Sequence, residues 1–389
     1  MKKSIPVAEL QFGMYVAELD RPWTDTPFMF QGFLLRTGEQ LEALKKHCKF
    51  VYVDPDRSEL GGRPAEGKTQ PVETSLEHEF PAARNIYTRN EGVVRDILTS
   101  VRAGRTLDAE RVELAVFSMT DSVLRNPDAL LLFSQLREKG EYTLSHALDV
   151  AVYMIAFGRF LQMERDDVAM LGYLGMLQDI GKVRLSQELL EKRDRLSEEE
   201  FERAKQHVRD SVEILRATPG LPPRLPELAA LHHERQDGSG YPKGLRGKEI
   251  GTIGAIAGII DTFDALTARR PYAEPVAPSA ALSMLYKWRG AFFDPVLVEQ
   301  FIRCIGIFPV GSTVELNSGE VGIVIAQNLA KRLQPRVMVI RDAQGNPLRP
   351  QKLLDLSRSP KVASGEPYRI KRTLEFGRIQ ASADELFMK

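Results

Sequence analysis

Four of the six histidines in this chain, His146, His207, His232 and His233, lie near two acidic motifs. These are Leu177-Gln178-Asp179-Ile180-Gly181-Lys182 and Ile260-Asp261-Thr262-Phe263-Asp264-Ala265-Leu266. Imidazole and carboxylate together are a donor set for iron, manganese, zinc or nickel, and one carboxylate can bridge two ions through its two oxygens. Asp179 is the bridging candidate. Taken singly, each residue also fits ordinary structure. His146 sits in an apolar helical stretch and suits a core histidine, while His207, at the border of the Ala204/Val208 stripe, suits a solvated face. Asp179 could cap the turn at Gly181, and Asp261 could be a helix-end charge. The tandem His232-His233 is harder to place this way. Adjacent helix residues point about 100° apart, so both reach one centre only at a helix end, which Asp237-Gly238-Ser239-Gly240 marks.

The elements that must hold these residues follow from periodicity. Residues 1–56 alternate short β-like runs (Ser4 to Leu10, Gly13 to Leu19, Phe28 to Leu35, Phe50 to Val53) with turns and one helical stretch, Glu39 to His47, giving an α+β module. Residues 57–76 are rich in Pro, Gly and charge and read as a linker. Over 77–308 apolar residues recur at three and four, as in Val112, Val116, Met119 and Val123, which predicts a helical domain. Ser197 and Glu200 form a capping box ahead of the helix that carries His207. From 309 to 358 the period is two, with strands at Thr313 to Leu316, Val321 to Ala326 and Val337 to Ile340, a small β-appendage. Residues 359–389 are polar and read as a tail. The fold class is thus multi-domain and mainly α-helical, with small β-containing modules at either end.

Composition excludes several classes. With 53 Lys+Arg against 53 Asp+Glu in 389 residues, 43% hydrophobic and 27% charged, the chain is neither disordered, collagen-like nor membrane-embedded. Balanced charge argues against a dedicated nucleic-acid or anionic-membrane binder. Cys48 and Cys304 stand far apart, outside any CxxC spacing, and read as reduced thiols of a cytosolic protein. The first residues lack the apolar run of a signal peptide, and the richest apolar windows, Ala151 to Met163 and Ile250 to Ile260, fall short of the ~20 residues of a membrane span. A cytoplasmic location is expected.

His146, then Gln178-Asp179…Gly181-Lys182, His207, His232-His233-Glu234-Arg235-Gln236-Asp237-Gly238-Ser239-Gly240-Tyr241-Pro242 and Asp261…Asp264 together resemble the HD-GYP family of bacterial phosphodiesterases, and this resemblance marks 129–305 as the core of the helical domain. Gly13-Met14-Tyr15-Val16 and Asp20-Arg21-Pro22-Trp23 are similar to the small domain of unknown function often found ahead of HD-GYP domains. The resemblance implies an HD-superfamily helical domain that cleaves cyclic di-GMP, to pGpG or GMP, at two divalent metals, iron or manganese. It implies metal ligands His146, Asp179, His207, His232, His233 and Asp261, with Asp179 and Lys182 catalytic. Lys182 would neutralise a phosphate oxygen and Arg270 would contact ligand phosphate. Tyr241 and Pro242 would shape the loop beside the substrate, or form a rigid packed turn.

Three positions depart from the family pattern. Gln178 stands where the histidine of the HD pair belongs, and its neutral amide suits hard cations better than iron, zinc or nickel. Tyr142 replaces the glutamate that serves a third metal, and Glu141 points about 100° away, so a third ion is not expected. Ala273 replaces a basic residue three after Arg270. The alternative is therefore a degenerate module that binds cyclic di-GMP or a signalling partner without turnover. The N-terminal module, with Trp23 and Phe28 to Phe33 as core or contact surface, is read as regulatory. Signalling proteins are its expected partners, through that module or the GYP loop, and no nucleic-acid polymer is.

Overall fold

The computed structural model describes residues 2–21, 33–35, 38–55, 58, 74–137, 142–192, 194–268, 274–328 and 331–374. Arg270, Ala273, Glu141, Trp23, Phe28 and most of the expected linker lie outside the described residues, as does the side chain of Tyr142. The chain divides into two units, Met1–Val72 and Glu73–Lys389.

In the first unit β1 (Lys3–Pro6), β2 (Tyr15–Leu19), β3 (Phe33–Leu34) and β4 (Phe50–Asp54) form an antiparallel sheet in the order β1-β4-β2-β3. Alternation holds along β4, whereas in β2 a register shift between Val16 and Glu18 brings Leu19 to the same inner face as Val16. Val16, Leu19, Val51 and Val53 are buried with Leu35, Cys48 and Leu44, the last from α1 (Gly38–His47). Burial and the neighbouring Asp20 push the Cys48 thiol up to about 11, so it stays protonated.

The second unit is built on helices α2 (Leu76–Arg102), α3 (Ala109–Arg125), α4 (Pro127–Leu136), α5 (Tyr142–Phe160), α6 (Arg165–Leu177), α7 (Gln187–Glu191), α8 (Glu198–Arg216), α9 (Leu225–Ala229), α10 (Gly251–Thr267), α11 (Pro278–Trp288) and α12 (Pro295–Ile305). Asp108 caps α3, Asn126 caps α4, and Ser197 with Glu200 makes the expected capping box on α8. α5 runs through the middle, and almost every residue from Leu144 to Phe157 is buried. Phe263 of α10 lies edge-on to Tyr153 of α5 at 5.4 Å and to Phe301 of α12 at 5.2 Å, locking the three helices together. Gly247–Thr267 is long and apolar enough to cross a membrane. It is longer than the Ile250 to Ile260 window suggested because the apolar pattern runs on through Asp261 and Asp264, both buried in the helical core.

The C-terminal sheet has the order β8-β7-β6-β5-β9. β5 (Thr313–Leu316), β6 (Val321–Ala326) and β7 (Arg336–Arg341) match the expected strands. Two strands were not foreseen. β8 (Pro347–Asp355) contains two prolines and no clean alternation, which an edge strand tolerates. β9 (Ile370–Thr373) falls in the expected tail, and this corrects that boundary. It pairs with β5, and Lys371 and Arg372 reach Glu315 at 2.8 and 2.6 Å. With half-buried residues only at its two ends and none fully buried, β9 carries no period-2 signal.

Candidate metal centre

Four helical elements and one turn bring the predicted residues to one point. His146 comes from α5. Gln178 and Asp179 follow the C-terminus of α6, at the entry to a 3₁₀ turn, Ile180–Arg184. His207 comes from α8, and Asp261 from the middle of α10. His232 and His233 lie on turns beyond the short helix α9, not at the end of a longer helix as expected. A tight turn aims two adjacent side chains at one place more easily than a helix does.

The 3₁₀ turn is docked on α8 at Gly181, whose N–H donates to Ser211 Oγ at 2.8 Å. A Cβ at this position would stand 2.1 Å from the His207 carbonyl oxygen. This close approach places Asp179 beside His207, and Lys182, one turn on, beside Asp179. The HHERQDGSGYP segment is held by Glu234, which accepts from the backbone N–H of Lys243 and Leu245 at 2.8 Å each. Gly240 passes so close to Arg235 that a Cβ would meet its nitrogen at 2.4 Å.

All six predicted metal-ligating residues converge. Ligand atoms of Asp179, His207, His232 and His233 lie within 4.8 Å of one another, as do those of His146, Asp179 and Asp261. His207, which could have been a solvated surface residue, is 4% exposed, and His232 is fully buried. His207 Nδ1 is 2.6 Å from the Ala204 carbonyl, and His232 Nδ1 is 2.6 Å from that of Ala229. The carbonyls accept from Nδ1–H, which leaves each Nε2 lone pair facing inward. His146 Nδ1 is 2.7 Å from Asp264 Oδ2, and its Nε2 is 3.0 Å from Asp179 Oδ2 and 3.2 Å from Asp261 Oδ1.

The electrostatics suit cation binding. Burial opposes ionisation of Asp179, yet the Lys182 ammonium and the His146 ring hold its carboxyl well below the usual range. Asp261 is likewise held down, against burial, by His146 and His233. Burial, reinforced by His232, pushes the pKa of His233 well down, so it is a neutral imidazole with a lone pair to give. Among the described residues, Gln178 Oε1, Asp179 Oδ1 and His232 Nε2 are buried without a hydrogen-bond partner. Orphaned acceptors of this kind, converging on one point, are what a divalent cation satisfies.

Comparison with known proteins matches residues 132–297 to an HD domain, residues 2–112 to a domain of unknown function (DUF3391) and residues 313–363 to a KOW domain associated with HD domains. The chain is 32% identical over 373 residues to cyclic di-GMP phosphodiesterase PA4108 of Pseudomonas aeruginosa, covering 92% of this chain and 90% of that protein. It belongs to the HD-GYP family. Shorter matches link the HD-GYP region to cyclic di-GMP phosphodiesterase response regulator RpfG of Xanthomonas campestris, at 38% identity over 144 residues, 37% of this chain and 38% of that protein. They link it also to 3'3'-cGAMP-specific phosphodiesterase 2 of Vibrio cholerae, at 34% over 173 residues, 44% and 33% of the two chains.

Two groups in this HD-GYP site escaped sequence reading. Asp264 was seen only as part of a motif. The signal was its spacing, since Asp261 and Asp264 are one turn apart on the same face of α10. At the rim, the Tyr241 ring lies 4.6 Å from His233 and 6.1 Å, edge-on, from Phe201, and Lys205 Nζ sits 5.2 Å from the Phe201 ring. Phe201 is 47% exposed, unusual for a large apolar side chain beside a polar centre. Its distance in sequence from the GYP motif hid the pairing.

Proposed function

We propose that this chain is a metal-dependent phosphodiesterase that hydrolyses cyclic di-GMP, to pGpG or GMP, in cytoplasmic bacterial second-messenger signalling. One observation carries the reading: the Asp179 carboxylate stands between the His146 imidazole on one side and those of His207 and His232 on the other, turning one oxygen to each side. His146, Asp179 and Asp261 would hold one divalent ion and His207, His232, His233 and Asp179 a second, iron or manganese. Such a pair supplies Lewis acidity that activates water and stabilises charge at phosphorus. The remaining chemistry belongs to the protein. Lys182, 2.7 Å from Asp179 Oδ2 and partly exposed, is placed to meet a non-bridging phosphate oxygen. Tyr241, Phe201 and Lys205 offer aromatic faces with an adjacent cation to a purine base. Arg270, outside the described residues, is assigned to a phosphate contact from the sequence motif alone.

A second reading, a module that binds the dinucleotide or a signalling protein without turnover, is favoured by Gln178 at the position of the family's first histidine. Anaerobically purified protein, reconstituted with iron or manganese and offered cyclic di-GMP, pGpG and cyclic GMP-AMP in parallel, separates the two. Turnover of cyclic di-GMP that vanishes in Asp179→Ala supports the enzyme. Tight retention of intact dinucleotide without turnover, reversed by Gln178→His, supports the binding module.

A further inference from the structure

The two oxygens of Asp179 face unlike surroundings. Oδ1 lies 3.2 Å from His207 Nε2 and 3.5 Å from His232 Nε2, on the side completed by His233. Oδ2 lies 3.0 Å from His146 Nε2 but only 2.7 Å from the Lys182 ammonium. The Oδ2 side has one imidazole, the Asp261 carboxylate and the Gln178 amide. Gln178 is 1% exposed; its Nε2 donates to Asp261 Oδ1 at 3.3 Å, and its Oε1 has no hydrogen-bond partner among the described residues. Half a turn of the amide would present Oε1 to an ion beside Asp261 in place of the N–H.

Resting on the two-ion reading above, we infer that the two positions differ in kind. The imidazole-rich side holds a resident transition-metal ion. The His146 side takes a hard, exchangeable divalent cation of the Mn²⁺ or Mg²⁺ class, with Gln178 Oε1 as a neutral ligand, so its filling follows the free concentration of that cation. Three imidazoles select iron, zinc or nickel, whereas carboxylate and amide oxygens select manganese and magnesium. Lys182 adds to the contrast. A dication on the Oδ2 side must share that oxygen with an ammonium, and like-charge repulsion at such range lowers affinity. Gln178 thus converts a paired site into one permanent and one concentration-sensed position.

Metal content tests this without substrate. Chelator-stripped protein receives one equivalent of Zn²⁺ and is then titrated with Mn²⁺, following loss of the free Mn²⁺ EPR signal. The expected result is one Zn²⁺ retained through desalting and one Mn²⁺ bound at least ~10-fold more weakly and lost on desalting. Gln178→Met, similar in volume but lacking the amide oxygen, should weaken Mn²⁺ binding by ~10-fold or more while the Zn²⁺ stays. Gln178→His should retain a second Zn²⁺. Melting curves of the stripped variants check that each is folded. Two Zn²⁺ held with equal affinity by the unaltered protein, or unchanged Mn²⁺ binding in Gln178→Met, would overturn the inference. Absence of cyclic di-GMP hydrolysis would leave it intact.

Discussion

Gly181→Ala adds a single methyl group at the point where the Asp179–Lys182 turn rests on α8. Its Cβ would stand 2.1 Å from the His207 carbonyl oxygen and 2.5 Å from the Ser211 nitrogen, both backbone atoms. Real Cβ contacts essentially never fall below 3.0 Å, so the turn and the helix must separate by about 0.9 Å. Neither neighbour can yield by a rotamer change. Overpacking of this kind costs about 1–3 kcal/mol, and in a unit this large each kcal/mol lowers Tm by about 2–4 °C. The functional cost is greater. The same movement carries Asp179 away from His207, stretching the 3.2 Å approach on which the imidazole-rich side depends, and a misplacement of ~1 Å near a reacting centre costs about 100-fold in rate. Metal analysis, a melting curve with and without added metal, and cyclic di-GMP hydrolysis would be measured on the same preparation. A modest fall in Tm without metal, loss of the metal-induced rise in Tm and a rate about 100-fold lower are expected. A variant with the parent's metal content and rate would refute the role given to the Gly181 contact.

Asp264→Asn should leave the fold intact but weaken metal binding about 10–100-fold by releasing the His146 ring, read by titration against a chelator; unchanged affinity would remove Asp264 from the site. Phe201→Ala should raise KM for the dinucleotide about 5- to 100-fold with kcat and metal content little changed, the loss of one base-stacking surface; a fall in kcat alone would contradict the rim assignment. Glu79, buried in α2, is opposed by burial but held below its ordinary value of 4.5 by Arg125 and Ser122. Because its folded pKa is depressed, this group stabilises the protein fully above pH 4.5 and loses its contribution as pH falls through the lower folded value. Glu79→Gln should cost about 1–3 kcal/mol at neutral pH and flatten the acid limb of a Tm-versus-pH profile; an unaltered limb would show that Glu79 does not contribute.

The donor set was legible in the chain because metal-binding residue types are scarce in it: four histidines near two aspartate motifs leave little else for them to do together. The helical character of the second unit was legible too, since helices such as α2, α3 and α12 bury recurrent apolar faces. What stayed hidden depends on main-chain geometry and on distance in sequence. His232 and His233 share the site through turns that no helical period describes. Asp264 acts through His146, 118 residues away, and the one local hint of this is its one-turn spacing from Asp261. Of the residues in β8 and β9 only Leu354 is fully buried, and strands so little buried leave no alternating pattern to read.

The place of β9 has a consequence for how the polypeptide can be shortened. The KOW match ends at residue 363, and a domain cut there would look complete by homology. It would also strip β5 of its outer neighbour, leaving the backbone N–H and C=O groups of Thr313–Leu316 as an open edge. During synthesis that edge stays bare until residues 370–373 leave the ribosome. The polar strand at 370–373 thus shields a ladder laid down about 55 residues earlier from pairing with other molecules.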